Sequence, residues 1–312
     1  MSKPFVLAVA GATASGKSEL AMQLAKKLDG EIICMDSMQI YRRMDIGTAK
    51  PTHNEQADIP HHMLDIIEPT ETYAVADYAA DAQKAIERVL SRGHLPVLTG
   101  GTGLYLKALM HGLSLGGAGS DPKLREQLNA IADETDGKKK LHERLMQIDP
   151  LSANRLHPND VRRVVRAIEV FELTGKSISE QTQEEADQPF SILPLAIDVP
   201  RNVLYERHEK RVHHMIHMGL VEEVSQLLRS GVTPQMQSMQ GIGYKELIPV
   251  VENNVPLDKA VWQIILNTRH YAKRQGTWLR TEPQMVWLSK NGEERIDEAL
   301  YSIDSFLNER KD

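Results

Sequence analysis

Gly11-Ala12-Thr13-Ala14-Ser15-Gly16-Lys17-Ser18 decides how the rest of the chain is read. An apolar run, Phe5 to Ala10, precedes it and reads as a buried strand. An apolar-periodic segment, Glu19 to Leu28, follows and reads as a helix. Strand, Gly-x-x-x-x-Gly-Lys-Ser and helix in that order are the setting of a phosphate-binding loop. Gly11 and Gly16 let the backbone curl, so that the amides of Thr13, Ala14, Ser15 and Gly16 can converge on an anion. The helix presents its unpaired N–H groups and positive dipole end to the same anion. Lys17 adds a point charge, and Ser18 offers a hydroxyl to Mg²⁺. Loops of this kind are nucleotide-binding and commonly ATP-binding. The motif specifies a diphosphate or triphosphate, not the molecule that carries it.

A chain of 312 residues has room for one large domain or two. Its 41% hydrophobic and 26% charged residues are ordinary for a soluble globular protein, which makes a cytoplasmic enzyme the expectation. A single cysteine, Cys34, excludes an internal disulfide framework or a cysteine-based zinc site, and fits a reducing compartment. Met1 leads directly into the first strand without a signal-peptide pattern, and no apolar run is long enough to span a bilayer. With a net charge of −6, nucleic-acid binding would have to use local basic patches.

Glu31 to Asp36 reads as a second buried strand ending in an acid. In a parallel sheet the carboxyl ends of strands face the ligand crevice, so Asp36 is expected beside the phosphate loop. Tyr41 to Pro60 reads as irregular, and His61 to Ile67 as a further strand. His61 and His62, adjacent on extended chain, point apart and are not expected to share a metal. Val75 to Arg92 is an amphipathic helix. Leu95 to Thr99 is another buried strand, ending in Gly100-Gly101-Thr102-Gly103 and a helix from Leu104 to about His111. Thr102 thereby points into the crevice; it also suits a helix N-cap, and the two roles are compatible.

Gly112 to Gly119 reads as a glycine-rich hinge. Beyond it the pattern is helical: Pro122–Asp133, Lys138–Ile148, Pro158–Thr174 and Ser177–Glu185. A strand pattern returns at Ile192 to Ile197. The expected organisation is therefore a parallel α/β core, residues 1–118 and 190–312, with an inserted all-helical domain, residues 119–189. Within the insertion, helical spacing puts Arg162 and Arg166 on one face with Arg163 beside them. Such a cluster can grip phosphates, or it can be a solvated face answered by Glu169 and Glu172; spacing leaves both readings open. A long helix, Arg201 to Ser230, carries Arg207, Arg211 and His214. Next come a glycine-bearing turn, Ser238 to Glu246, a helix, Leu257 to Arg280, a strand, Met285 to Leu288, and a helix, Arg295 to Leu307. Lys273 to Arg280 interleaves bases with Trp278, which suits either a nucleic-acid contact or a core tryptophan with charged neighbours.

Taken jointly, the phosphate loop, Asp36-Ser37-Met38-Gln39-Ile40-Tyr41-Arg42, Gly100 to Tyr105, His157-Pro158-Asn159-Asp160, Arg211 with Met215 to Glu223, and Lys273 to Arg280 occur in an order that strongly resembles bacterial tRNA dimethylallyltransferases, also called tRNA isopentenyltransferases. The resemblance covers nearly the whole chain. Ala12 and Ser18 stand where the family more often has Pro and Thr; both keep the loop geometry and the hydroxyl.

The resemblance implies a P-loop NTPase-like core and transfer of a dimethylallyl group from dimethylallyl diphosphate. The acceptor is N6 of the adenosine 3′-adjacent to the anticodon, in tRNAs reading codons that begin with U, and diphosphate is released. It implies that Gly11, Thr13, Ala14, Ser15, Gly16, Lys17 and Ser18 bind the diphosphate with Mg²⁺ on Ser18, and that Lys17 and Arg211 neutralise the leaving group. Asp36 is implied as general base, with Thr102 supporting the reacting groups.

An adenine stacked in an anticodon loop cannot reach a crevice at a sheet edge, so it must be extruded. The implied tRNA contacts are Asp36, Ser37, Met38, Gln39 and Thr102; Asp160, Val161, Arg162 and Arg163; Gln240, Gly241, Ile242, Gly243, Tyr244 and Lys245; and Lys273, Arg274, Gln275, Gly276, Thr277, Trp278, Leu279 and Arg280. The insertion would hold the anticodon stem-loop from its far side. One cysteine and an end at Asp312 look like the bacterial, zinc-free form, expected to be a monomer without membrane association. Two other classes share parts of the pattern. A small-molecule or nucleoside kinase would consume ATP. A non-catalytic RNA-binding NTPase switch is disfavoured by the lack of an Asn-Lys-x-Asp guanine-reading motif.

Overall fold

The computed structural model describes residues 3–112, 119, 121–183, 188–253 and 255–310. Six parallel strands, β1 (Phe5–Ala10), β2 (Gly30–Cys34), β3 (His61–His62), β4 (Leu95–Gly100), β5 (Ser191–Ile197) and β6 (Val286–Leu288), form one sheet in the order β3-β2-β4-β1-β5-β6. The central strand β1 is apolar throughout because both its faces are covered. Its side chains alternate. Val6, Ala8 and Ala10 join a core with Ile33, Leu98, Tyr78 and Ile86, whereas Leu7 and Val9 join a second core with Leu20, Leu24, Val97 and Ile303. Burial of each such Leu or Ile contributes roughly 1.5–3 kcal/mol, which makes this register hard to slip.

The chain divides into two compact units, Met1–Met110 with Pro189–Asp312, and His111–Gln188. The second unit is helical among its described residues and has its own core around Leu128, Leu141, Leu145, Val164 and Ile168. Residues 113–118 of the glycine-rich stretch and 184–185 at the end of the helix expected over Ser177–Glu185 lie outside the described residues.

Several local readings are corrected. The segment expected as a strand from His61 to Ile67 pairs as a strand only at His61–His62. Met63 and Asp65 adopt left-handed backbone, with φ of 63° and 52°, and turn the chain away. The stretch read as irregular holds a helix, His53–Asp58, nucleated by a capping box between Thr52 and Glu55. Asp149 caps an additional helix, Pro150–Arg155, so the next one starts at Val161 rather than Pro158. The helix expected over Arg201 to Ser230 breaks at Gly219, φ 102°, into Arg201–His217 and Leu220–Arg229. A helix, Tyr244–Asn253, follows the glycine-bearing turn.

At the end of β4 the backbone runs against the end of β2. A Cβ on Gly100 would lie 1.9 Å from the Met35 carbonyl oxygen, which cannot yield without parting the two strand ends. Gly100→Ala should therefore lower stability by roughly 1–3 kcal/mol. The check is urea unfolding, where the midpoint should fall with the slope unchanged.

Candidate functional site

The phosphate loop leaves β1 and enters the Lys17–Lys27 helix through Gly16, whose φ of 92° is open to glycine at little cost. Ala14 is also left-handed, φ 62°, so the loop is held in its shape by other parts of the chain. The grip comes from two distant helices. On the Arg201–His217 helix, His208 lies with Nε2 3.0 Å from the Thr13 carbonyl, and Arg207 donates to the Ala14 carbonyl at 3.2 Å. From the Leu257–Leu279 helix, Gln275 accepts the Thr13 N–H at 2.9 Å. Within the loop, Ser15 is 1% exposed and its Oγ has no protein partner.

Lys17, Ser18, Asp36 and Arg211 line one cleft at the carboxyl ends of the strands, together with Thr13 and Tyr271. Its free space, about 130 Å³, is some four waters' worth. Burial and then the Arg211 guanidinium push the Lys17 ammonium down to about 8, partly offset by Asp36. Burial also lowers Arg211, again offset by Asp36. Two half-buried cations, Lys17 and Arg211, thus have Asp36 as their neighbouring carboxylate, and the exposed Glu55 also lines the cleft.

Asp36 follows β2, where its Oδ1 accepts the Met38 N–H at 2.9 Å. The Thr102 hydroxyl accepts the Ser37 N–H at 3.1 Å, and the Thr102 N–H donates to the Met35 carbonyl at 3.3 Å. Asp36 and the second glycine turn are therefore tied directly to each other. Gln39 Nε2 donates to the carbonyls of Thr48 and Ala49, each at 3.1 Å, and Gln39 Oε1 accepts from the Cys34 thiol at 3.0 Å. Burial first, then Asp36, raises the Cys34 thiol, which stays protonated.

Three features escaped sequence reading. Tyr271 lines the cleft, and burial and Asp36 raise its phenol to about 12. Lys50, its side chain 3% exposed, binds Asp45 and Asp65 at 2.6 Å each and forms part of the same wall. Glu223 accepts the N–H groups of Asp45, Ile46 and Gly47 at 2.8–3.1 Å, plus the Tyr244 hydroxyl at 2.7 Å, and so fixes the loop that carries Lys50. The Glu222-Glu223 pair was visible in the sequence, but nothing local tied it to a loop more than 170 residues away.

The expected RNA-contacting residues separate by burial. In the core unit Gln240, Lys245, Lys273, Arg274, Thr277 and Arg280 are exposed, whereas Gly241, Gly243, Tyr244, Gln275 and Leu279 are buried. The side chains of Tyr244, Gln275 and Leu279 therefore pack inside the protein. Ile242, Gly276, Ser37 and Met38 are half-buried, as is Trp278, which packs on Gly103. In the helical unit Arg162 and Arg163 are exposed, with Arg163 3.4 Å from Asp160; Val161 and Asp160 are half-buried. Arg166, set by spacing on the same face as Arg162, holds Glu169 at 2.7 Å, the pairing that one of the two open readings named. Glu169 is fully buried, and Arg125 and Arg166 outweigh that burial and keep its carboxyl below the usual range. His61 and His62 take different partners, Ile59 O at 2.7 Å and Glu31 at 2.6 Å. Among the described residues no group of three or more His, Cys, Asp or Glu is placed to hold a metal, and no helix is long and apolar enough to cross a membrane.

Comparison with known proteins bears on this site. A family model described as IPP transferase matches residues 39–282. A tRNA dimethylallyltransferase of Pelotomaculum thermopropionicum is 50% identical over 284 residues, which span 91% of this chain and 90% of that protein. A tRNA dimethylallyltransferase 1 of Trichlorobacter lovleyi is 48% identical over 289 residues, 92% of this chain and 94% of the relative. Among solved structures, the full-length tRNA isopentenylpyrophosphate transferase of Bacillus halodurans superposes with a TM-score of 0.74 at 38% identity, covering 99% of this chain and 98% of that one. A eukaryotic dimethylallyltransferase described as acting on tRNA gives a TM-score of 0.76 at 32% identity, covering 92% of this chain and 74% of that one.

The Lys17 ammonium sets a pH limit on anion binding. An organic diphosphate needs the protonated lysine, and in the free protein that form is lost as pH rises through about 8. Calorimetric affinity for such a ligand should weaken from pH 7.5 to 9.5, with a proton taken up on binding at the alkaline end. Lys17→Met should bind weakly and without that dependence.

Proposed function

The chain belongs to the IPP transferase family, and from that premise we propose that it transfers a dimethylallyl group from dimethylallyl diphosphate to N6 of the adenosine 3′-adjacent to a tRNA anticodon, releasing diphosphate. The observation that carries this reading is the cleft itself, where two half-buried cations, Lys17 and Arg211, meet the carboxylate of Asp36. In the reaction the allylic C1–O bond breaks and its electron pair leaves with the diphosphate. A new bond joins C1 to N6, and the N6 proton passes to Asp36. Lys17, Arg211 and the loop amides stabilise the charge that grows on the leaving oxygens, where a low dielectric makes each interaction count for more. The Thr102 hydroxyl, bonded to the backbone next to Asp36, holds the acceptor side in register with the acid.

Mg²⁺ fits the donor chemistry. The Ser18 hydroxyl offers a hard oxygen ligand in the cleft, and Mg²⁺ commonly keeps several waters and takes substrate phosphates as its other ligands. When bound it would neutralise diphosphate charge; Ser18 would hold it. The acceptor adenine must leave the anticodon stack to reach Asp36. The exposed bases Arg162, Arg163, Lys245, Lys273, Arg274 and Arg280 are the proposed contacts for the flanking RNA phosphates. The reading is of a monomeric, cytoplasmic enzyme.

Mass spectrometry of tRNA incubated with the protein, Mg²⁺ and dimethylallyl diphosphate should show the mass of one dimethylallyl group. ATP turnover without prenyl transfer would instead identify a kinase-like enzyme. Asp36→Ala should lower kcat by about 10²–10⁴-fold while tRNA affinity holds. Arg162→Ala with Arg163→Ala should weaken tRNA binding and reduce the slope of log K against log salt by about one per lost phosphate contact; filter binding between 50 and 300 mM salt, on the order used for such slopes, reads this directly.

A further inference from the structure

Gln275 occupies a position that its place in a basic segment does not suggest. Its side chain is 7% exposed. Oε1 accepts the N–H of Thr13 in the phosphate loop at 2.9 Å, and Nε2 donates to the carbonyl of Gly101 in the second glycine turn, also at 2.9 Å. The partners lie 262 and 174 residues away in sequence. Both ends of one amide are thus committed, one to the loop that cradles the leaving group and one to the turn carrying Thr102. Thr102 in turn holds Ser37, the neighbour of Asp36. The fit leaves little slack: a Cβ on Gly101 would lie 2.1 Å from Gln275 Nε2. Thr13 is held on its other side by His208, which is fully buried. The Thr13 amide is consequently spent on Gln275 and is not available to the anion, so this bond shapes the cradle rather than filling it.

We propose that Gln275 is a positioning residue that fixes the distance between the diphosphate cradle and the Asp36–Thr102 acceptor side. The proposal rests on the prenyl-transfer reading above and deepens it. Loss of either arm leaves the two sides joined by the pairing of β1 with β4 but loosens the loops that extend beyond it. The allylic carbon then meets N6 less often, and water competes for it. In that side reaction the C1–O bond to diphosphate breaks, water oxygen bonds to C1, and the water gives up a proton. The products are dimethylallyl alcohol and diphosphate.

The test compares wild type, Gln275→Ala and Gln275→Glu at saturating tRNA and Mg²⁺ with labelled dimethylallyl diphosphate. Prenylated tRNA, free alcohol and tRNA Kd are measured separately. Gln275→Glu keeps the size and the acceptor for Thr13 but turns an oxygen toward Gly101 O, so it tests the second arm without leaving a hole. For both variants kcat should fall about 10- to 100-fold, the cost of misplaced reacting groups. The share of donor ending as alcohol should rise, and tRNA Kd should stay within about twofold of wild type. The proposal is overturned if Gln275→Ala weakens tRNA binding tenfold or more while kcat holds, which would make the residue an RNA contact. It is equally overturned if Gln275→Glu matches wild type in rate and product partition. Wild type that makes no prenylated tRNA would refute the function reading instead, a separable result.

Discussion

Lys17 and Arg211 are half-buried cations that line one cleft with the carboxylate of Asp36, and the elements of the core unit converge to place them there. Bringing two like charges together and partly out of water is costly, and one neighbouring carboxylate offsets it only in part. A polyanionic ligand removes it. The sheet makes the arrangement tolerable by packing its strands on both faces while leaving the carboxyl ends of β1, β2 and β4 open to one cleft. Stability invested in the two cores is thereby set against a site that is electrostatically unfavourable until it is filled.

The loop that cradles the anion is shaped from outside. Left-handed backbone at Ala14 costs on the order of 1–2 kcal/mol, so the free loop would spend little time in this form. Arg207 and His208 hold its carbonyls, Gln275 holds an amide, and Lys17 lies 3.4 Å from the Ala12 carbonyl. The opposite wall is treated alike: Glu223 gathers three successive amides, and Gln39 and Lys50 bind carbonyls of the same stretch. Donors aimed in advance at developing charge need no reorganisation during reaction, and such preorganisation is a large source of rate enhancement.

Features set by nearby residues were legible in the sequence. Strands β1, β2, β4 and β5, buried on both faces, stood out as apolar runs; the phosphate loop followed from glycine spacing, and the amphipathic helices from their period. The misses have two physical origins. Short elements depend on single caps, as at Thr52 and Asp149, or on single left-handed residues, as at Met63, Asp65 and Gly219, and periodicity over a window averages these away. Side-chain bonds across the fold, such as those of Gln275 and Glu223, join positions whose proximity only the assembled sheet creates.

The Lys273 to Arg280 segment shows how one helix can serve both the cleft and the surface. Ala272, Gln275 and Leu279 recur at i, i+3 and i+7 and are buried, whereas Lys273, Thr277 and Arg280 recur at i, i+4 and i+7 and are exposed. The inner stripe touches the phosphate loop and the second glycine turn; the outer one carries cations, with Arg280 lying 5.1 Å over the Trp287 ring. A contiguous basic run in sequence is therefore two surfaces in space, roughly 130° apart around the helix. Gln275 of the inner stripe bonds both the phosphate loop and the second glycine turn. Placing a basic outer face and the bonds that shape the cleft on the same helix joins the two through one continuous element.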